Sequence, residues 1–169
     1  MQTKFGFVPN LIGVLAESPA ALKGYLALAD AFAASSLSPV EQQVVLLTTS
    51  LENRCTYCVA AHSMLYRHSG GDEASLRALR DGEPLADPRL EAVRSFTRRV
   101  VENRGWVDEE TVRAFLDAGF TRAQVLEVIL GITQKTLSNY TNHVAETPVD
   151  NAFANFAWQP RTAVPGTAR

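Results

Sequence analysis

The sequence predicts an all-α fold, a compact single-domain bundle of about six to eight helices that goes on to oligomerise. Three observations carry this. Helix start signals, a Ser, Thr or Asp often followed by proline, recur along the chain. Between them apolar residues return at intervals of three and four. No segment alternates apolar and polar residues with the period of a half-buried strand.

Taken in order, Ser18-Pro19 places a cap before a proline at the first helical position and opens a helix through Ala34. Ser38-Pro39-Val40-Glu41 has the form of a capping box, with Glu41 returning a bond to the cap, and its helix carries Val44, Val45, Leu47 and Thr48 toward Leu51. Asn53-Arg54 breaks that pattern, and a new helix begins near Cys55 and runs to about Arg67. Ser69-Gly70-Gly71-Asp72 reads as a stop followed by a fresh cap, leaving His68 exposed at a helix C-terminus. Asp87-Pro88, Asp108-Glu109-Glu110 and Thr121-Arg122-Ala123-Gln124 open three more helices. The last is the longest, with Val125, Ile129, Ile132 and Leu137 as an apolar stripe toward Val144. Pro148 and Pro160 punctuate a tail containing Phe153, Phe156 and Trp158, aromatics expected to bury apolar surface between subunits. Trp106 and Trp158 are expected to be packing residues.

At 169 residues and 46% hydrophobic content the chain has the size and composition of one domain with a real core, and residues 1–169 read as that domain. The net charge of −2, with basic and acidic residues interspersed, offers no basic field for nucleic acid. Met1-Gln2-Thr3-Lys4-Phe5-Gly6 lacks the apolar run of a signal peptide. No stretch approaches the roughly 20 apolar residues of a membrane span. A cytoplasmic protein without a membrane partner is expected.

The chemistry concentrates in Glu52-Asn53-Arg54-Cys55-Thr56-Tyr57-Cys58-Val59-Ala60-Ala61-His62, which holds the only two cysteines of the chain. A C-x-x-C puts two thiols one helical turn apart, and His62 follows a turn beyond Cys58. A thiolate attacks peroxides and disulfides where a thiol does not, and a helix N-terminus or an imidazolium favours the thiolate. The neighbouring thiol can close a disulfide and protect it from over-oxidation.

Leu37-Ser38-Pro39-Val40-Glu41-Gln42-Gln43-Val44-Val45, followed by Cys55-Thr56-Tyr57-Cys58-Val59-Ala60-Ala61-His62, resembles the alkylhydroperoxidase D-like branch of the carboxymuconolactone decarboxylase family. Gly6-Phe7-Val8-Pro9-Asn10 and Asn139-Tyr140-Thr141-Asn142-His143 resemble stretches of the same branch. The resemblance implies an all-helical fold assembled as a trimer or hexamer, and reduction of a hydroperoxide by a thiol pair that a dithiol or disulfide-carrying reductant then restores. Cys58 matches the peroxidatic cysteine, Cys55 its partner and His62 the histidine of a proton relay. Two positions depart from that pattern. Gln43, twelve residues before Cys55, stands where the relay has a glutamate, and Tyr57 stands where the peroxidases carry a histidine. Glutamine does not exchange protons at neutral pH, so weak turnover is expected, with Gln43 and Tyr57 lining the site and Gln43→Glu raising the rate.

Glu52 is close enough in sequence to reach the thiols, and His143 could approach them from the last helix or simply bond a backbone carbonyl. Two rival readings stay open. One is a non-enzymatic helical oligomer whose disulfide alters packing; the other is a zinc site of Cys55, Cys58 and His62 completed by His143, although no second C-x-x-C supplies the usual second pair. No cofactor is called for by the thiol reading.

Overall fold

In a computed structural model, which describes residues 6–160, the capping signals are realised side chain by side chain. Helix α1 spans Asn10–Leu15, a short element that the sequence reading did not separate from the start of the chain. Ser18 accepts from the amide of Ala21 and starts α2, Pro19–Ala33. Ser38 and Glu41 close the expected capping box at the start of α3, Pro39–Glu52. Glu41 Oε2 accepts the Ser38 amide at 2.7 Å while Oε1 takes Arg89 Nε at 2.6 Å, so this carboxylate serves the helix end and does not reach the cysteines. Then come α4, Thr56–His68; α5, Glu73–Asp81; α6, Pro88–Glu102; α7, Glu109–Asp117; and α8, Arg122–Val144. Asp72, Asp87, Asp108 and Thr121 cap the last four. A 3-10 helix, Asn151–Phe156, follows. No strand occurs among the described residues, and no helix there is long and apolar enough to cross a membrane. The reading of Met1–Phe5, and both ends of the 1–169 domain span, lie outside the described residues.

Helix α3 is the centre of the bundle, packed against α4, α6 and α8. Val44 to Ser50 are buried without a break, so α3 has no solvent face over that stretch. The main core joins Phe32, the valines and leucines of α3, Val93, Phe96, Phe115 and Val128. A second core joins Leu11, Leu15, Tyr25, Tyr57, Phe153 and both cysteines. Gly131 lets α8 approach α2 and α3, because a Cβ there would sit 2.7 Å from the Phe32 ring and 2.9 Å from Val45.

Three expectations are corrected. The deeply buried face of α8 is Val128, Gly131, Gln134, Lys135, Ser138, Asn139 and Asn142; of the apolar stripe Val125, Ile132 and Leu137 pack half-buried on the cores, whereas Ile129 is exposed and Val144 almost fully so. The tail folds back onto its own chain: Phe153 is buried in the second core, and Trp158 packs on the main core and donates from Nε1 to the Arg80 carbonyl at 3.2 Å. Trp106, at the turn between α6 and α7, is 87% exposed and takes no place in either core.

Candidate active site

The turn between α3 and α4 sets the thiols. Asn53 ends α3, Arg54 adopts a left-handed conformation (φ 54°), and the amides of Arg54 and Cys55 return to the carbonyls of Leu51 and Ser50 at 2.9 Å each. This is a Schellman closure with arginine where glycine is usual. It delivers Cys55 as the N-cap residue of α4 and Cys58 into the first turn, where unpaired amides and the helix dipole favour negative charge. Both thiols are free and buried.

Helix α8 supplies what surrounds them. Asn142 Nδ2 donates to Cys58 Sγ at 3.2 Å and lies 3.8 Å from Cys55 Sγ; Ser138 Oγ is 3.8 Å from Cys58 Sγ. Lys135, only 1% exposed, reaches His62 Nε2 at 2.9 Å and lines the same cavity as Cys58. His62 Nδ1 lies 2.9 Å from Gln43 Oε1. This chain of contacts fixes its own protons. An ammonium only donates, so His62 Nε2 must accept from Lys135; the ring proton then sits on Nδ1 and is given to the Gln43 oxygen.

The electrostatics follow from that order. Burial drives the His62 imidazole well below its ordinary range, and the Lys135 charge beside it pushes the same way, so His62 is neutral. Burial would raise the Cys58 thiol, but a hydrogen bond from Cys55, the Lys135 charge and the Ser138 hydroxyl outweigh it and hold Cys58 well below the usual thiol value. Cys55, as donor in that bond and itself desolvated, is pushed up. Lys135 is raised despite its burial, chiefly by Cys58. The stable arrangement is a Cys58 thiolate facing a Lys135 ammonium, with a Cys55 thiol beside it. An imidazolium at His62 is not what activates Cys58, and no hydrogen bond joins His62 to either sulfur among the described residues.

A small cavity of about 70 Å³ opens against Cys58, His62 and Lys135, walled by Leu11, Ile12, Tyr25, Tyr57 and Phe153. The two ends of the described chain roof it. Tyr57, between the cysteines, donates from its hydroxyl to Asp150 Oδ2 at 2.5 Å and accepts the Leu11 amide at 3.3 Å; Asp150 Oδ1 accepts the Asn10 amide at 3.1 Å. Burial, then the bond to Asp150, pushes the Tyr57 phenol up, so it stays protonated.

Of the residues singled out from sequence, Cys55, Cys58, His62, Gln43 and Tyr57 come together. Glu52 and His143 do not. Glu52 closes α3 and turns to α6, 3.6 Å from Arg98 Nε, with burial as the first cause of its raised carboxyl. His143 is exposed beside Tyr140, and its neighbour Asn142 occupies the inward position. No three His, Cys, Asp or Glu side chains gather as metal ligands among the described residues. Sequence reasoning missed Lys135, Ser138, Asn142 and Asp150. The signal was present in part: Lys135, Ser138 and Asn142 recur at three and four residues, on one face of the last helix.

The chain is similar to known proteins in sequence profile and in fold. The carboxymuconolactone decarboxylase family profile matches residues 19–99, which include Gln43, both cysteines and His62 but stop short of Lys135. A solved structure from Ralstonia eutropha, described as an alkylhydroperoxidase AhpD core and an uncharacterized peroxidase-related protein, superposes with a TM-score of 0.82 at 26% identity, covering 90% of this chain and 82% of that one. Profile and fold together support the carboxymuconolactone decarboxylase family and its alkylhydroperoxidase D-like branch. The debrominase Bmp8, solved with 2,3,4-tribromopyrrole, superposes with a TM-score of 0.79 at 14% identity over 92% of this chain and 84% of its own, a likeness of fold. No curated protein sequence matches the chain.

Proposed function

We propose that this protein is a thiol peroxidase, reducing a hydroperoxide at Cys58 and closing a Cys55–Cys58 disulfide that a dithiol reductant reopens. The observation that carries the reading is the buried Cys58 sulfur at the wall of a small apolar cavity, with Asn142 donating to it, Lys135 lining the same cavity and the Cys55 thiol close by, 3.8 Å from the same Asn142 amide. Cys58 attacks the distal peroxide oxygen, the O–O bond breaks, and sulfenic acid and alkoxide result. Cys55 then displaces the sulfenic oxygen as water and forms the disulfide, and exchange with a dithiol returns both thiols.

The cavity and its roof favour a small apolar hydroperoxide. Leu126, Ile129 and Tyr140 leave apolar surface on the outer side of α8, which supports a homo-oligomer, a trimer or hexamer, with α8 and not the tail as its contact. Consumption of an organic hydroperoxide in the presence of a dithiol tests the reading. Wild type should turn over, Cys58→Ser should not, and Cys55→Ser should stop after one equivalent as a sulfenic acid; equal consumption by wild type and Cys58→Ser would overturn it.

A further inference from the structure

We propose that Lys135 is the general acid of the peroxide step, delivering the proton that the leaving alkoxide needs. This inference rests on the thiol-peroxidase reading and deepens it. A hydroperoxide in line with Cys58 must occupy the cavity, so its proton donor must be one of the groups there. His62 has none to give, because its one ring proton is on the nitrogen facing Gln43 and its other nitrogen is taken by Lys135. The Tyr57 hydroxyl proton is committed to Asp150, and Cys55 does not line the cavity. The Tyr25 phenol and the Lys135 ammonium remain, and of the two Lys135 is the one assigned: it lines the cavity beside Cys58, is aimed by His62 at 2.9 Å, holds three protons, and makes no ion pair with a carboxylate among the described residues. His62 and Gln43 are then a cradle that aims the ammonium, and Lys135 does the proton work for which Gln43 is unfitted.

The cycle balances. Cys58 thiolate and hydroperoxide give Cys58 sulfenic acid and alkoxide; Lys135 protonates the alkoxide to an alcohol and becomes an amine. Attack of the Cys55 thiol on the sulfenic acid forms the disulfide and releases water, with no net change at Lys135. Reduction by an external dithiol yields two thiols, and Cys58 returns its proton to the Lys135 amine. The titratable groups facing Lys135 are Cys55, Cys58 and His62 from α4 and Tyr25 from α2; α3 presents only the neutral Gln43.

Two reactions of the same sulfur separate this role from simple charge stabilisation. Alkylation by iodoacetamide needs the thiolate but no proton donor, since iodide leaves unprotonated; single-turnover oxidation by tert-butyl hydroperoxide needs both. Lys135→Arg keeps a cation that does not release its proton. It should retain alkylation within a few fold of wild type while peroxide oxidation falls by about 100-fold, the scale of one general acid. Lys135→Met should recover alkylation as pH is raised but not peroxide oxidation, and Tyr25→Phe, which removes the other phenol at the cavity, should keep the wild-type ratio of the two rates. In wild type, needing no variant to fold, peroxide oxidation should slow in heavy water while alkylation does not. Parallel loss of both reactions in Lys135→Arg, or selective loss of peroxide oxidation in Tyr25→Phe, would overturn the assignment. A wild-type Cys58 that alkylates but does not oxidise would instead reject the peroxidase reading itself.

Discussion

Replacing His62 by glutamine should remove part of the acid sensitivity of the fold, by an amount that the site's geometry sets. Glutamine can donate to Gln43 and accept from Lys135 as the neutral imidazole does, so the contacts at 2.9 Å on either side survive. What disappears is a group that cannot take a proton when folded. Burial and Lys135 hold the imidazole well below its ordinary value, whereas the unfolded chain protonates it near pH 6.5. The unfolded state therefore binds the extra proton, and the stabilisation present above pH 6.5 is lost as pH falls. The slope is about 1.4 kcal/mol per pH unit once well below 6.5, which integrates to about 2 kcal/mol between pH 7 and pH 5. Cys58, whose folded value is also depressed, contributes a slope of the same sign in both proteins, so only the difference reports His62. Urea unfolding at pH 7, 6 and 5 measures it. Wild type should lose about 2 kcal/mol more than His62→Gln over that range. Identical losses would show that His62 titrates normally in the fold, and the proton assignment along Lys135, His62 and Gln43 would be wrong.

Other perturbations follow the same logic. Between pH 8 and 7, above the His62 range, wild type should lose roughly 1 kcal/mol through protonation of the unfolded Cys58 thiol, and Cys58→Ser should be flat in the same unfolding assay. Tyr57→Phe leaves the buried Asp150 carboxylate without its phenol donor and should cost about 1–3 kcal/mol in denaturant unfolding, while loosening the cavity roof enough to speed access of iodoacetamide to Cys58. Gly131→Ala puts a methyl into the Phe32 ring and should destabilise by about 1–3 kcal/mol through overpacking, with a lowered melting temperature as the readout.

The helices were legible because their ends are written in local chemistry. Ser18, Ser38, Asp72, Asp87, Asp108 and Thr121 each cap the helix that they announce, and a cap depends on residues within one turn. The thiol pair and His62 were legible for the same reason, lying together in one short stretch of α4. What lay hidden was long-range. Lys135 meets His62 across 73 positions, and Asp150 meets Tyr57 across 93, so neither shows as a motif. Helix α8 misled because a buried helix face is expected to be apolar. Here it faces the thiols, and its inward positions carry the amide, hydroxyl and ammonium that a buried thiolate needs. His143 looked the better ligand by residue type, but a step of one residue turns a helical side chain by about 100°, and that put Asn142 inside.

Mass measurement of the reduced protein before and after one equivalent of hydroperoxide tests the central claim most directly. The account predicts loss of two hydrogens in wild type, mapped by peptide analysis to an intramolecular Cys55–Cys58 disulfide, and a single sulfenic adduct on Cys58 in Cys55→Ser. Oxidation that stops at unlinked cysteines reacting independently, or that falls on Cys55 first, would contradict it.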